Sequence, residues 1–172
     1  MQVRDGDIRR LEHLYEKHHV RLYNFFRRLT GDRQLSEDLV QDVFYRMLKY
    51  RHTFRGEGEF ATWMYALARN VFKDHHRRNQ PVTVELKDTP TGDPLPHQLL
   101  EEEQSRKLLE KALSQLPPEK REVLLLSRYQ DLRYDAIAGI LGCSVEAVKV
   151  RVHRAMNELR NKFFQLSGEE ST

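Results

Sequence analysis

Several features are scarce in this sequence, and each shortage excludes a class of protein. The single cysteine, Cys143, excludes a disulfide within the chain. No stretch approaches the roughly 18 consecutive apolar residues that a membrane-spanning helix requires. The N-terminus has neither the apolar run nor the cleavage-site pattern of a secretion signal. The sequence therefore predicts a cytosolic protein whose only connection to a membrane would be through a partner.

Strand patterns are also scarce, and helical periodicity takes their place. Alternation of apolar and polar residues is confined to residues 82–86. Residues 80–97 are rich in proline and threonine, a composition typical of a linker. A chain of 172 residues has room for one domain or two small ones. We predict an all-α fold of two small helical domains, residues 1–80 and 105–172, joined by a flexible linker at residues 81–104.

A large excess of one charge is missing from the chain as a whole. Lys and Arg number 29 and Asp and Glu number 26, which leaves a formal net charge of +3. The charges are unevenly placed, with 16 basic and 11 acidic residues in 1–80, 1 and 6 in 81–105, and 12 and 9 in 106–172. Two basic blocks on either side of an acidic connector favour two modules that face DNA.

The N-terminal region is predicted to begin with two helices. The first runs from about residue 7 to a turn at Gly31 and Asp32. Ser36 is predicted to cap the second, because a serine hydroxyl can accept a hydrogen bond from a free N–H of the first turn. The second helix is predicted to bury Leu39, Val40, Val43, Phe44, Met47 and Leu48, and to expose Asp38, Gln41, Asp42 and Arg46.

A loop and a third helix follow. The loop contains Gly56 and Gly58, which allow unusual backbone angles and close approach to a ligand. The predicted helix at residues 60–78 has a core side of Phe60, Trp63, Met64, Leu67 and Val71, and a second side of Tyr65, Arg69, Phe72, Lys73, His76 and Arg77. Aromatic faces stack on unpaired bases at roughly 1–3 kcal/mol each while cations hold the backbone, so this second side is a candidate platform for single-stranded DNA. The alternative is that its aromatic rings complete the core with neighbouring helices.

Residues 134–159 predict a helix-turn-helix, a motif that reads duplex DNA. Ile137, Ala138 and Leu141 lie on one side of its first helix. Gly142 is predicted to end that helix with a left-handed backbone, and Ser144 to cap the next one. The second helix has a predicted spine of Val145, Val148, Val152, Met156 and Leu159, and an outward side of Glu146, Ala147, Val150, Arg151, Arg154 and Asn157 flanked by Lys149 and His153. That side suits phosphates and base edges, although an ordinary helical hairpin with a solvated charged face is the alternative.

Taken together, the two regions resemble the extracytoplasmic function (ECF) sigma factors, the short two-domain members of the bacterial sigma-70 family. In the first region the resemblance rests on residues 38–44 (DLVQDVF), 60–65 (FATWMY) and 68–70 (ARN), ahead of a basic run that ends at Arg78. In the second it rests on residues 116–121 (LPPEKR), on Ile137-Ala138 with Leu141-Gly142, and on residues 148–155 (VKVRVHRA). The order of these segments and the polar linker between them make the resemblance specific.

The resemblance implies a subunit that binds core RNA polymerase and directs it to promoters, with no catalytic activity and no cofactor of its own. Residues 38–44 resemble the family's main polymerase-binding surface. The implied contacts on polymerase are the clamp helices of the largest subunit and the flap. The implied polymerase-binding residues are Asp38, Gln41, Asp42 and Phe44. Without the resemblance, a solvated helix face would be the preferred interpretation of the three polar residues.

The resemblance also implies that the loop and the third helix capture the non-template strand of the minus-ten promoter region. The implied residues are Arg55, Gly56, Phe60, Tyr65, Arg69, Asn70, Lys73 and Arg77. Asn70 is the implied polar reader, and the basic residues would contact phosphates. Unstacking costs a few kcal/mol for each flipped base, which a pocket between a loop and an aromatic and basic helix can offset. For Trp63, on the apolar side, a core role is preferred to a DNA contact.

The helix-turn-helix would read the minus-thirty-five region as duplex DNA through Ser144, Glu146, Lys149, Val150, Arg151, His153 and Arg154. An arginine that binds guanine with two hydrogen bonds adds about 1–3 kcal/mol of discrimination, whereas a phosphate contact adds affinity alone. The arginines are not assigned individually. Family members often carry a small polar residue at the place of Val150 and a basic one at the place of Met156. Val150 is therefore a candidate contact for a thymine methyl group, and Met156 is interpreted as core.

In family terms, the acidic linker would thread toward the active-site channel of polymerase, where it could mimic nucleic acid. Sigma factors of this type are usually held inactive by an anti-sigma protein, often one anchored in a membrane. That partner is expected from the resemblance alone.

Two other functions stay open from the residues alone. One is a regulator that binds an operator through the same helix-turn-helix without acting as a polymerase subunit, and residues 38–44 and 60–70 count against it. The other is a metal-dependent enzyme on DNA, suggested by the pairs His18-His19 and His75-His76. Adjacent residues point to different faces of a helix, so neither pair has the three- or four-residue spacing of helical metal ligands. No metal site is therefore predicted.

Overall fold

The computed structural model describes residues 8–54, 60–78 and 97–168. These ranges contain the helices α1 Ile8–Thr30, α2 Arg33–Lys49, α3 Phe60–Arg78, α4 His97–Ser114, α5 Pro118–Leu124, α6 Tyr134–Leu141 and α7 Val145–Ser167. A turn of 3-10 helix, Arg51–Thr53, follows α2, and a turn of π-helix, Leu125–Tyr129, follows α5. No described residue lies in a strand, and the all-α prediction is confirmed. None of the described helices is both long and apolar enough to cross a bilayer.

The helices α1, α2 and α3 form a first packed unit. Its buried side chains recur every three or four residues, as expected for helices that turn one face to a core. They are Leu22, Phe25, Phe26 and Leu29 of α1, Leu39, Val40, Val43, Phe44 and Met47 of α2, and Met64, Tyr65, Ala68 and Val71 of α3.

The start of α2 differs from the prediction. Asp32 is the N-cap, and its carboxylate accepts a hydrogen bond from the Leu35 N–H at 3.0 Å. Ser36 lies fully buried inside the helix, where its hydroxyl donates to the Asp32 carbonyl. Gly31 makes the preceding turn with a φ of 76°, as predicted. The earlier cap is favoured because every residue added to a helix adds a backbone hydrogen bond.

The helices α4 to α7 form a second packed unit, in which α4, α5 and α6 all pack against α7. The first helix of this unit begins at His97, so residues 97–104 of the predicted linker are helical. Pro118 occupies the first position of α5, where its missing N–H breaks no helical bond. The buried apolar side chains of this unit are Ala112, Leu113, Leu116, Val123, Leu124, Leu125, Leu126, Leu132, Ile137, Ala138, Ile140, Val148, Val152 and Ala155.

The two units pack against each other, and their buried side chains form one continuous cluster. The helix α6 lies against α3, while α4, α5 and the π turn lie against α1. Arg121 of α5 joins the units, because its guanidinium donates to the Leu29 carbonyl at 2.6 Å, to the Leu116 carbonyl at 2.9 Å and to the Ser114 carbonyl. It therefore lies at the C-terminal ends of α1 and α4, where helix dipoles favour a positive charge.

Candidate nucleic-acid interface

The turn between α6 and α7 forms as the sequence predicts. Gly142 ends α6 with a φ of 66°, a left-handed backbone that glycine adopts without steric strain. The Cys143 N–H donates to the Ala138 carbonyl at 3.1 Å. Ser144 caps α7, because its hydroxyl accepts a hydrogen bond from the Ala147 N–H at 3.1 Å. These bonds hold the short turn that sets α7 across α6.

The inward side of α7 differs from the predicted spine at one position. Val148 and Val152 are buried, as predicted, but Met156 is 38% exposed and Ala155 is fully buried in its place. Positions three and four residues after Val152 both lie near the buried side of a helix. The smaller side chain faces the neighbouring helices, and the larger one remains accessible. The prediction that Met156 belongs to the core is therefore wrong.

The seven residues predicted to read duplex DNA lie together on the accessible side of α7 and at its cap. Ser144, Glu146, Lys149, Val150, Arg151, His153 and Arg154 are all exposed. The side chain of Val150 is 47% exposed, and it lies on the same side of α7 as Glu146 and His153. Among the described residues, no hydrogen-bond or ion-pair partner occupies the side chains of Lys149, Arg151 or Arg154. This face therefore presents three unpaired cations and one apolar contact to solvent.

The same helix extends beyond the predicted motif, to Ser167. The side-chain nitrogen of Asn157 (Nδ2) lies 3.0 Å from Nε2 of His153, and Arg160 donates to the side-chain oxygen of Asn157 (Oδ1) at 2.6 Å. Arg160 is thus a basic residue next to the predicted face that the sequence analysis missed. Its position seven residues after His153, two helical turns along the same side, is the signal that could have identified it.

The residues of α3 that were predicted to capture single-stranded DNA fall into two sets. Asn70, Lys73 and Arg77 are exposed and lie three and four residues apart, so they share one accessible side of the helix. Arg77 also pairs with Asp74 at 3.3 Å. Arg46 of α2 also binds the Asp74 carboxylate, at 2.8 Å. This hydrogen bond lowers the pKa of the Asp74 carboxyl. Arg55 and Gly56 lie outside the described residues.

An aromatic cluster surrounds the start of α3. The ring of Phe60 is half-buried, with its centroid 5.8 Å from those of Phe54 and Trp63 and 5.2 Å from that of His18. The indole N–H of Trp63 donates to the Thr53 hydroxyl at 3.2 Å. Burial, with nearby cations as a second cause, lowers the pKa of His18. The residues on either side of the segment 55–59, Phe54 and Phe60, are therefore held in contact by edge-to-face and tilted ring contacts.

The second set on α3 is covered by the second unit. Tyr65 is 2% exposed, and its hydroxyl donates to the side-chain oxygen of Gln130. Nε of Arg69 lies 3.1 Å from a carboxylate oxygen of Glu122, and these side chains are 16% and 9% exposed. The contact is an ion pair in which the Nε–H is not aimed at the oxygen. Burial raises the pKa of Glu122, and the positive charge of Arg69 opposes this effect.

The prediction that Tyr65 and Arg69 lie open to DNA is therefore wrong for this structure. Their spacing correctly places them on a different side of α3 from Trp63. It does not show that α5, α6 and the π turn cover this side.

The helix α2 presents an accessible polar face, as predicted, that contains Asp38, Gln41 and Asp42. Phe44 is only 6% exposed, so the prediction that it contacts polymerase directly is wrong, because the ring belongs to the core. Tyr45 and Leu48 are instead 63% and 37% exposed. They follow Gln41 by four and seven residues and so share its side of the helix. Tyr45 was not among the predicted residues, and the prediction that Leu48 belongs to the core is wrong.

Comparison with known proteins identifies the family. Residues 14–82 match the model of Sigma-70 region 2, and residues 106–159 match that of Sigma-70, region 4. The RNA polymerase sigma factor YlaC of Bacillus subtilis is 31% identical over 165 residues, which cover 93% of this chain and 95% of that protein. The ECF RNA polymerase sigma factor SigX of the same organism is 31% identical, covering 91% of this chain and 84% of that protein. The chain belongs to the ECF sigma factors.

Solved structures of other proteins have the same fold as this sigma factor. RpoE, in complex with the anti-sigma factor NepR from Bartonella quintana, matches with a TM-score of 0.73 and 22% identity over 95% of this chain and 100% of that one. CnrH, in complex with the cytosolic domain of CnrY, matches with a TM-score of 0.71 and 23% identity over 98% and 95% of the two chains. This family membership favours the sigma-factor interpretation over the alternative of an operator-binding regulator. The sigma factor acts in promoter-specific transcription initiation.

Proposed function

We propose that this sigma factor reads duplex minus-thirty-five DNA with α7, captures the minus-ten strand with α3, and binds core RNA polymerase through the accessible face of α2. The first unit and the segment 55–59 would thus act at polymerase and at the opened strand, and the second unit at the duplex. The observation that carries the proposal is the set of unpaired cations on the accessible surface of α7, a helix that is held by a capped turn.

The chemistry of α7 suits the major groove of a duplex. Lys149, Arg151 and Arg154 are not neutralised within the described part of the chain, so phosphates or guanine edges can take their hydrogen bonds. Val150 projects between them as an apolar group of the size that fits a thymine methyl. Loss of one arginine that binds guanine would relax the preference at one base pair by about 1–3 kcal/mol, whereas loss of a phosphate contact would weaken all sequences alike.

The accessible side of α3 supports a role at the opened strand. Asn70 offers an amide that can pair with a base edge, and Lys73 and Arg77 flank it with positive charge. The aromatic cluster of Phe54, Phe60 and Trp63 holds the two residues that flank the segment 55–59 in contact at the N-terminal end of α3. Fixed flanks of this segment, with a polar and basic surface further along the same helix, suit the capture of a flipped base.

The face of α2 combines the two parts of a protein interface. Tyr45 and Leu48 provide accessible apolar anchors, and Asp38, Gln41 and Asp42 surround them with polar groups. We expect Tyr45→Ala to weaken binding to core polymerase at least about fivefold, since buried aromatic anchors contribute more than about 1 kcal/mol. Leu109→Ala, at an exposed apolar residue of α4, is the matched control. Equal affinities of the two variants, measured by fluorescence anisotropy with core enzyme, would contradict the assignment.

We also propose that the chain acts in the cytoplasm, has no catalytic activity of its own, and is regulated by an anti-sigma protein. The two similar structures support the last point, because RpoE was solved with the anti-sigma factor NepR and CnrH with the cytosolic domain of CnrY.

Reconstituted transcription tests the proposed function. Purified protein is mixed with core polymerase and a pool of promoter fragments, and the transcripts are sequenced. Start sites that require both the protein and core polymerase are expected. Tight binding to a duplex without polymerase, together with no protein-dependent transcript, would refute the proposal.

A further inference from the structure

Three polar side chains form a hydrogen-bonded network along one side of α7. His153, Asn157 and Arg160 follow one another at spacings of four and three residues, so they are neighbours on the helix surface. Nδ2 of Asn157 lies 3.0 Å from Nε2 of His153, and Arg160 donates to Oδ1 of Asn157 at 2.6 Å. Asn157 is half-buried, and the other two are exposed. The network therefore begins at a residue of the proposed DNA-reading face and ends outside it.

The chemistry of the three groups fixes the direction of each hydrogen bond in this network. A guanidinium has no acceptor, so the Asn157 atom that faces Arg160 must be the amide oxygen. The other atom of the amide is then its nitrogen, which only donates. This nitrogen faces Nε2 of His153, so Nε2 must accept and carries no proton. The network therefore holds the imidazole in the tautomer that has its proton on Nδ1.

The tautomer of His153 decides which base edges its ring can bind. Nε2 is engaged by Asn157, and no group in the described part of the chain bonds to Nδ1. In the major groove, guanine presents acceptors at O6 and N7, adenine at N7 and thymine at O4, whereas cytosine presents only the N4 donor. An Nδ1–H can bind any of these acceptors, but it cannot bind the donor of cytosine. A histidine that was free to change its tautomer would accept from cytosine as well.

We propose that Arg160 is a positioning residue for promoter reading. Through Asn157 it holds His153 as a hydrogen-bond donor, which favours an acceptor edge and disfavours cytosine at one position of the minus-thirty-five duplex. This inference rests on the proposed role of α7. On the duplex, the network is shielded from water, and hydrogen bonds are stronger in less polar surroundings. Arg160 thus affects the choice of a base that it does not itself contact.

The tautomer in the free full chain is the first measurement. Long-range hydrogen–nitrogen NMR correlations of isotope-labelled histidine side chains distinguish a protonated ring nitrogen from an unprotonated one, and His153→Gln assigns the signal. At about pH 8, above the ordinary titration range of histidine, we expect the proton on Nδ1. A histidine without a partner favours the proton on Nε2, so Arg160→Met should shift the population toward Nε2–H. Asn157→Asp offers only acceptors and should reverse the tautomer.

Transcription with core polymerase on templates randomised in the minus-thirty-five segment measures the effect on base choice. His153→Ala identifies the position that His153 reads, because the preference there is lost. Lys162→Met is the matched control for Arg160→Met, since it removes the same charge from α7 and Lys162 has no partner in the described part of the chain. At the identified position, Arg160→Met should use cytosine about two- to tenfold more than the control does, the effect of about one hydrogen bond. The other positions should not differ between these two variants.

A proton on Nε2 of His153 in the wild type, or the same tautomer in the wild type and Arg160→Met, would overturn the proposal. So would equal use of cytosine by the Arg160 and Lys162 variants, or a His153→Ala variant that relaxes no position. A uniform loss over all sequences in Arg160→Met would show a phosphate contact and overturn it as well. The tautomer measurement needs neither promoter nor polymerase. A chain that directs polymerase-dependent transcripts with the His153 proton on Nε2 therefore retains the proposed function and lacks this network.

Discussion

Replacement of Arg121 by methionine should lower the stability of the whole chain, although Arg121 contacts no predicted DNA surface. Methionine keeps an unbranched apolar side chain of similar reach and removes the guanidinium. Three carbonyls at the ends of α1 and α4 then lose their donor, those of Leu29 at 2.6 Å, Leu116 at 2.9 Å and Ser114. The substitution therefore removes one hydrogen bond that joins the two units and two that hold the end of α4 within the second unit.

The size of the effect follows from these bonds. A hydrogen bond to a charged group is worth about 1.5–3 kcal/mol, and three independent bonds of this kind would sum to about 4.5–9 kcal/mol. The three carbonyls share one guanidinium, and Arg121 is only half-buried, so water can replace part of the loss. We expect a decrease in the free energy of unfolding of about 3 kcal/mol. For a chain of this size, that corresponds to a decrease in Tm of about 6–12 °C.

Thermal denaturation followed by circular dichroism at 222 nm measures the effect. Arg128→Met is the matched control, because Arg128 is exposed on the adjoining π turn and its side chain has no hydrogen-bond or ion-pair partner among the described residues. Exposed substitutions of this kind change stability by about 0.5 kcal/mol or less. Arg121→Lys should fall between the two, since one ammonium cannot reach three carbonyls on two helix ends. An Arg121→Met variant that melts within about 2 °C of the control would refute the reasoning.

Three further changes test local features. Gly142→Ala should destabilise the chain by about 1 kcal/mol, because φ is 66° while the added Cβ meets no atom within 4 Å, and an unchanged Tm would contradict the strain argument. Ser144→Ala should cost about 1 kcal/mol through loss of the cap, and Ser144→Asp should melt like the wild type. Arg46 lowers the pKa of Asp74, so the pair stabilises the fold above about pH 4 and this contribution is lost as the pH falls further. Asp74→Asn should therefore show a smaller decrease in Tm between pH 6 and pH 3 than the wild type, and equal decreases would rule out this role.

Local chemistry accounts for the features that could be predicted from the sequence. The left-handed backbone at Gly142 and the cap at Ser144 depend on neighbouring residues alone, and both form. The accessible face of α7 could be predicted because the alternation of branched apolar and charged residues has the period of a helix.

The local predictions were wrong where two nearby residues could fill the same structural role. Asp32 and Ser36 can both cap a helix, and the longer helix forms. Ala155 and Met156 both follow Val152 at helical spacing, and packing against the neighbouring helices selects the smaller. Sequence periodicity has no means to separate such pairs, because it assigns a side of the helix and not the volume available there.

No local sequence pattern could predict the contact between the two units. Tyr65 and Gln130 are 65 residues apart, and Leu29 and Arg121 are 92 apart. A basic and aromatic helix side has the same composition whether it meets DNA or a carboxylate from another unit. The resemblance predicted a phosphate contact for Arg69, and only the packing shows that Glu122 lies against its guanidinium in this structure.

The central claim is that one chain divides promoter reading between α7 and α3. The most direct measurement is transcription with core polymerase on templates with randomised minus-thirty-five and minus-ten segments, followed by sequencing of the templates that are transcribed. Wild type should enrich one motif in each segment. Arg151→Ala should relax only the upstream motif and Asn70→Ala only the downstream one. Relaxation of the same segment by both variants, or of neither segment by either, would contradict the account.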